Sequence, residues 1–336
     1  MRPTWDDVNA RARGLGTRLL APEVLAGLSQ IHGLGALARA LAARGLIPEE
    51  SAAGDATELG LALRRMAARE IALLRRWLGP RDIALAIALD AEDRRSLRAL
   101  TRGAAEGAAA ETRLAGLVPT PTLPERLLSD LAGRASIREQ GVLLVAAGHP
   151  CGTAVLRAAS DREPDLFRIE LAIARTLAER AVRGCRGAGR FLRDYVAGTI
   201  DRDNCRTALA LAAVALEEPA APLYLPGGDL RREEFERAAG TGDPVEAARV
   251  LGRGRSTREL ALILLRHAAS PADLERALED HAVAAVQREA RLDPLGPAPT
   301  LLFLHRLRRQ SIALARLLWS ADLGVPTALV AGVELR

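Results

Sequence analysis

The chain contains no lysine, since every one of its 47 cationic residues is an arginine. This absence excludes two kinds of site. A P-loop needs a lysine on the nucleotide phosphates, and Schiff-base catalysis needs a side-chain amine. We attribute the replacement of lysine by arginine, together with the abundance of alanine, to a GC-rich coding bias and not to a function.

Aromatic residues, cysteines and long apolar runs are also scarce. Aromatics make up 3% of the chain, which leaves few stacking platforms for single-stranded nucleic acid. The three cysteines, Cys151, Cys185 and Cys205, form no C-x-x-C pair, so we expect reduced thiols in a cytoplasmic protein. The apolar segment 207–216 is only ten residues long, which is too short to span a bilayer. Any membrane association is therefore expected to be peripheral.

The charge pattern argues against a dedicated nucleic-acid surface. The formal net charge is only +5 over 336 residues, and arginines alternate with Asp and Glu instead of forming a basic run. Such mild basicity suits an acidic partner or an anionic membrane face. Residues 1–20 carry six charged side chains, unlike the apolar core of a signal peptide.

The abundant residues predict an all-α fold. Ala, Leu and Arg dominate the sequence, and all three have high helix propensity. Helix starts are expected at Asp243 and Ser270, because each is followed by a proline at the first helical position. Segments 119–124 and 222–228 interrupt the helical pattern with prolines and glycines. These breaks predict three helical domains, residues 1–118, 119–225 and 226–336.

One helical motif, D-x-x-(S/N)-apolar-R, recurs along the chain. Two complete copies contribute three polar residues each, namely Asp93, Ser96 and Arg98, then Asp201, Asn204 and Arg206. A degenerate third copy at 308–313 keeps Ser311 but has Ala313 in place of the arginine. The apolar positions of the three copies, Leu97, Cys205 and Ile312, are separated by 108 and 107 residues. This regular spacing predicts a shared architecture. We interpret the motif residues as interhelical ties, with binding to a partner as the alternative.

The sequence offers no catalytic or cofactor-binding constellation. Its five histidines form no H-x-x-x-H or E-x-x-H pair, so helix-borne zinc and di-iron sites lack their ligands. His149 and Cys151 lack a third group that would orient them for nucleophilic catalysis. Asp201 and Asp203 precede Asn204, which favours capping of a helix start over acid–base catalysis. We therefore expect no catalytic residue, no metal and no cofactor.

The order of several short motifs resembles the C-subunit family of V-type/A-type ATPases (ATP synthases), which is related to the d-subunit of vacuolar ATPases. Residues 5–13 are similar to the family's aromatic-x-x-x-N-A-R-x-R opening, and residues 194–208 are similar to its most recognisable helix motif. An apolar-x-G-G element follows at Gly227 and Gly228. The glycine pair itself predicts a turn that needs positive φ, with close backbone approach to a partner as the alternative. A later P-L-G element is formed by Pro294, Leu295 and Gly296. The chain departs from the family pattern at Gln310, which stands at an acidic position, and at Ala313.

This resemblance implies three similar helical domains arranged as a funnel with pseudo-threefold symmetry. It implies a non-catalytic rotor subunit, present in one copy per complex, that couples the central stalk to the membrane proteolipid ring. The location would be the cytoplasmic face of the membrane, and the complex would transport protons or sodium ions or synthesise ATP. The alternative from the residues alone is a helical-repeat adaptor that binds protein or RNA through an arginine-rich face.

Overall fold

The structure is a computed structural model that describes residues 5–79, 82–160, 164–214, 219–254 and 257–326. In these ranges the chain forms α-helices and short 3-10 turns without any strand, which confirms the predicted all-α fold. The α-helices of the described residues are α1 (Asp6–Gly16), α2 (Pro22–Leu28), α3 (Leu34–Ala42), α4 (Ala56–Leu78), α5 (Asp82–Ala105), α6 (Ala110–Leu114), α7 (Glu125–Ala132), α8 (Ile137–Ala146), α9 (Gly152–Ala158), α10 (Leu166–Gly184), α11 (Arg190–Val214), α12 (Arg232–Ala239), α13 (Pro244–Gly252), α14 (Ala261–His267), α15 (Pro271–Leu292) and α16 (Ala298–Leu323).

Both predicted helix starts are confirmed. Helix α13 begins directly after Asp243, whose Oδ1 accepts the N–H of Val245 at 3.0 Å. Helix α15 begins directly after Ser270, whose hydroxyl donates to Asp273 Oδ2 at 2.7 Å and makes no capping bond to the backbone. A proline at the first helical position is common to both, because its missing N–H would have had no partner there.

Within the described ranges, the order of helix lengths repeats three times. In each repetition, three short helices precede two long ones. The short set is α2, α3 and the 3-10 turn Glu49–Ala53 in the first repetition, α7 to α9 in the second and α12 to α14 in the third. The long pairs are α4 and α5, α10 and α11, and α15 and α16. Each copy of the sequence motif therefore lies on the second long helix of its repetition.

Contacts divide the chain into two compact units. Unit 1 comprises Met1–Ile173 and Pro299–Arg336, and unit 2 comprises Ala174–Ala298. The division into three domains at 1–118, 119–225 and 226–336 stays a prediction.

The core of unit 1 joins helices from both ends of its sequence. Leu314, Leu317 and Leu318 of α16 are buried in one cluster with side chains of α2, α3 and α4, among them Leu28, Leu37, Leu41, Leu59 and Leu63. Full burial of one such leucine contributes about 1.5–3 kcal/mol. This cluster therefore holds the last long helix against the first short helices.

The core of unit 2 forms around α11. Ala208, Leu209 and Ala212 lie in one buried cluster with residues of α12 to α15, including Phe235, Leu251, Leu264, Leu274 and Leu278. The short alanine side chains let α11 come close to its neighbours. The second motif helix is consequently the central element of this unit.

Candidate functional site

Asp201 and Asn204 lie on one face of α11 and hold the loop that follows this helix. Asp201 is buried, and its two carboxylate oxygens accept the N–H groups of Asp229 at 3.1 Å and Leu230 at 2.9 Å. Asn204 donates to the C=O of Leu225 at 2.8 Å and accepts the N–H of the same residue at 2.9 Å. The two side chains thus satisfy four backbone groups of a loop in which Leu225 and Leu230 are buried.

The prediction that Asp201 and Asp203 cap a helix start is wrong. Both residues lie in the interior of α11, which begins at Arg190 and has no acidic residue in its first turn. Burial raises the pKa of Asp201, and the backbone donors Leu230 and Asp229 oppose this shift. The Asp201 carboxylate therefore serves the next loop and not the start of its own helix.

Gly227 and Gly228 allow this loop to approach α11. Gly227 has a φ of 107°, as predicted for a glycine turn, and a Cβ there would lie 2.6 Å from Val182 Cγ2. A Cβ on Gly228 would lie 2.0 Å from Asp201 Oδ1 and 3.2 Å from the Ala197 carbonyl oxygen. Gly227 is needed for its backbone conformation and Gly228 for the close contact.

Asp93 occupies the equivalent position on α5, and it also holds a later loop, the one between α6 and α7. Its carboxylate accepts the hydroxyl groups of Thr120 and Thr122. His149 Nε2 lies 3.3 Å from Asp93 Oδ2, and His149 Nδ1 accepts the N–H of Cys151 at 3.1 Å. A neutral imidazole that accepts at Nδ1 carries its proton on Nε2, so His149 donates to Asp93. The motif carboxylate thus anchors a later loop in each unit.

Ser96 does not repeat the contacts of Asn204. Its buried hydroxyl has no hydrogen-bond partner among the residues that the structure describes. The loop beside it is closed internally, because Thr120 Oγ1 accepts the N–H of Leu123 at 2.9 Å and the N–H of Thr120 donates to the Leu123 carbonyl at 3.0 Å. The first copy therefore depends on Asp93 and on the loop itself.

The two motif arginines pair with carboxylates on the next long helix. Arg98 Nε lies 3.0 Å from Glu170 Oε2 on α10, and Arg102 contacts the same carboxylate. Arg206 Nη1 lies 3.3 Å from Glu275 Oε1 on α15. Glu170 and Glu275 are each the fifth residue of their helices. Equivalent arginines thus make equivalent interhelical ion pairs in the two complete copies.

The third copy has lost both members of this ion pair. Ala313 replaces the arginine on α16, and the fifth residue of α4 is Gly60. A Cβ on Gly60 would lie 3.6 Å from Leu318 Cδ2, so α4 and α16 pack closely through a small residue here. Gln310 still ties a loop, because its Oε1 accepts the N–H of Leu20 at 2.6 Å just before α2. Leu20 lies just before α2, the first short helix of its repetition, and Leu225 lies before α12, the first short helix of another.

Pro294, Leu295 and Gly296 form the turn between α15 and α16. Asp293 Oδ1 accepts the N–H of Leu295 at 3.3 Å, and a Cβ on Gly296 would lie 2.3 Å from Asp293 Oδ2. This turn requires glycine at its last position, and it leaves Leu295 exposed.

Sequence reasoning missed the partners of the motif residues. Thr120 and Thr122 stand in the proline-rich segment, which the pattern predicts only as a break, although hydroxyl side chains alternate with prolines there. Glu170 and Glu275 carry no signal of their own, because an ion pair between helices about 70 residues apart leaves no local pattern. Their common position in two long helices is visible only with the helix boundaries.

The described ranges contain no metal-binding group of three or more His, Cys, Asp and Glu side chains. Within those ranges, none of the helices has both the length and the apolar character that crossing a bilayer requires.

A family model of the ATP synthase (C/AC39) subunit matches residues 8–311. The chain belongs to this family. Two similar proteins, from two strains of Thermus thermophilus, are each named as the C subunit of V-type ATP synthase. Each is 30% identical over 249 residues, which cover 71% of this chain and 70% of the relative. The resemblance drawn from the ordered motifs is confirmed, and this C/AC39 protein is a non-catalytic part of its complex.

Proposed function

We propose that the chain is the rotor subunit that couples the central stalk to the proteolipid ring of a V/A-type rotary ATPase. It acts in one copy per complex, on the cytoplasmic face of the membrane, during ion transport or ATP synthesis. The match of the C/AC39 family model over residues 8–311 carries this proposal.

The ties between long helices support a mechanical role. A subunit that transmits torque must resist deformation, and side chains that connect helices restrict their relative movement. Arg98 with Glu170 and Arg206 with Glu275 connect successive long helices, while Asp93 and Asp201 fix later loops. We propose that these motif residues stiffen the three predicted helical domains and contact no substrate.

Affinity purification of the tagged chain from native membranes tests the assignment. We expect co-purification with the stalk and ring subunits of a rotary ATPase. Gly228→Ala, which disrupts the loop on α11, is expected to reduce this recovery, whereas Gly189→Ala meets no atom within 4 Å and is expected to preserve it. Recovery with RNA or with an unrelated protein, and without ATPase subunits, would support the adaptor function and overturn the proposal.

Deletion of the gene tests the coupling role separately. We expect ATP-driven ion pumping to be lost while the detached catalytic head still hydrolyses ATP. Complementation with the wild-type chain is expected to restore pumping. A head that needs this chain for hydrolysis would contradict a purely coupling role.

A further inference from the structure

Six exposed arginines lie at one end of unit 2. Four belong to the end of α10, the turn after it and the start of α11, and two belong to the last turns of α15. We call this surface the arginine end and define it by Arg183, Arg186, Arg190, Arg193, Arg288 and Arg291.

The ties between α11 and α15 place these two groups at the same end. Arg206 pairs with Glu275. Burial lowers the pKa of His281, and the nearby charge of Arg202 lowers it further. From the Arg206–Glu275 pair to the Arg202–His281 pair, the residue number falls on α11 and rises on α15. The two helices are therefore antiparallel. Arg190 and Arg291 each lie sixteen residues from the Arg206–Glu275 pair, which corresponds to about 24 Å along either helix.

Interactions within the fold use only part of this cluster, since Arg193 Nη1 donates to the Ala188 carbonyl at 2.5 Å and Arg190 pairs with Asp194. Arg190 and Arg193 stand in the first turn of α11, where the positive end of the helix dipole opposes cations. Arg190 pairs with Asp194 at 3.3 Å, but their side chains are 89% and 64% exposed. Exposed pairs of this kind contribute about 0–1 kcal/mol. Two cations at this helix start therefore lower the stability of α11, and the exposed ion pair offsets little of that loss.

The arginine end has an excess of positive charge. Residues 183–194 and 288–295 contain only three acidic side chains against the six arginines, namely Asp194, Glu289 and Asp293. Asp293 is already used by the N–H of Leu295. A surface of this charge attracts anions, above all several anions presented side by side.

Two apolar side chains stand beside the arginines. Leu292 is 81% exposed and Leu295 is 59% exposed, and they follow Arg291 closely in the sequence. The turn between α10 and α11 ends in Gly187, Ala188 and Gly189, so no large side chain at its tip prevents close approach to a flat surface.

We propose that the arginine end binds the anionic headgroups of a phospholipid bilayer. Guanidinium groups match the geometry of phosphate oxygens and donate two parallel hydrogen bonds to them. Leu292 and Leu295 enter the boundary between headgroups and acyl chains, as apolar residues of interfacial proteins do. An acidic protein surface would satisfy the arginines alone, whereas a bilayer receives both the charges and the leucines. This binding is a property of the isolated chain and does not rest on the rotary function.

Sedimentation with phosphatidylcholine vesicles, with and without phosphatidylserine, tests the proposal on the purified full chain. We expect binding only to the anionic vesicles and weaker binding as salt is raised. Substitution of glutamine for Arg183, Arg186, Arg190 and Arg193 is expected to weaken binding about tenfold or more. The matched control removes the same charge from exposed arginines elsewhere in unit 2, Arg231, Arg232, Arg237 and Arg249, and is expected to bind nearly as the wild type does.

Leu292→Ser with Leu295→Ser tests the apolar contribution and is expected to weaken binding, and circular dichroism confirms that each variant is folded. Equal binding of the two arginine variants, or equal binding to neutral and anionic vesicles, would overturn the proposal. The proposal would also be overturned if the variant with glutamine at the four α10–α11 arginines binds vesicles as the wild type does but no longer co-purifies with ATPase subunits. That result would identify a protein as the partner of these arginines. If the wild-type chain binds anionic but not neutral vesicles and yet no ATPase subunits co-purify with it, the proposed rotary function fails and the lipid-binding proposal stands.

Discussion

A Cβ atom added to Gly228 would lie 2.0 Å from Oδ1 of Asp201, which is far closer than nonbonded atoms approach. Asp201 cannot retreat freely, because the N–H groups of Asp229 and Leu230 hold its carboxylate. The loop and the motif helix therefore constrain each other through a glycine and a buried charge.

Gly228→Ala is expected to destabilise the chain by about 1–3 kcal/mol, because either the loop or the carboxylate must move. The measurement is the free energy of unfolding in denaturant. Gly189→Ala serves as the control, since its new methyl group meets no atom within 4 Å. Equal stability of the two variants would show that the loop yields easily.

Asn204→Ala and Ser96→Ala are expected to differ although they change equivalent motif positions. Asn204 satisfies both backbone groups of Leu225, and a buried backbone group left unpaired costs about 1–3 kcal/mol. The hydroxyl of Ser96 is buried without a partner in the described part of the chain, so its removal is expected to be neutral or slightly stabilising. Thermal unfolding of both variants checks this order. A large loss for Ser96→Ala would mean that the hydroxyl has a function that its contacts do not reveal.

Glu170→Gln is expected to destabilise the chain more than Glu275→Gln. Glu170 is 17% exposed and serves two arginines, Arg98 and Arg102, whereas Glu275 is 50% exposed and serves Arg206. Exposed ion pairs contribute about 0–1 kcal/mol, and hydrogen bonds to charged groups that are partly buried contribute about 1.5–3 kcal/mol. Denaturant unfolding at low and high salt measures both effects. The reverse order would contradict the ranking of the two pairs by burial.

Asp201→Asn is expected to change the pH dependence of stability. Burial raises the pKa of Asp201 in the folded chain, so the folded state binds more protons than the unfolded state between the two pKa values. The resulting stabilisation is fully present below the unfolded pKa of about 3.9 and is lost as pH rises through the folded pKa. The stability of the wild type relative to the asparagine variant should therefore increase as the pH falls from 7 toward 4. A constant difference over this range would show that the pKa is not raised.

Several local features of the site are predicted correctly from the sequence because their causes are local. Proline after Asp243 and Ser270 marks two helix starts, and the G-G pair marks a turn in which Gly227 has positive φ. The predicted role of Asp201 is wrong, because a D-x-D-N cluster resembles a cap when the helix start at Arg190 is unknown. Helix α11 has no acidic residue in its first turn, so this signal of a helix start is absent from the sequence there.

The sequence by itself determined the all-α class, the family and the positions of the repeated motif, because composition and ordered motifs depend only on residue identity. Tertiary structure decided which partners the motif residues meet. The carboxylate of Asp93 binds hydroxyl groups whereas that of Asp201 binds backbone N–H groups, because different loops return to equivalent helices. The tertiary structure also showed that both members of the ion pair are replaced in the third copy. Ala313 stands at the arginine position on α16, and Gly60 stands at the carboxylate position on α4. Long-range pairs depend on how the chain folds back, and local sequence does not record that path.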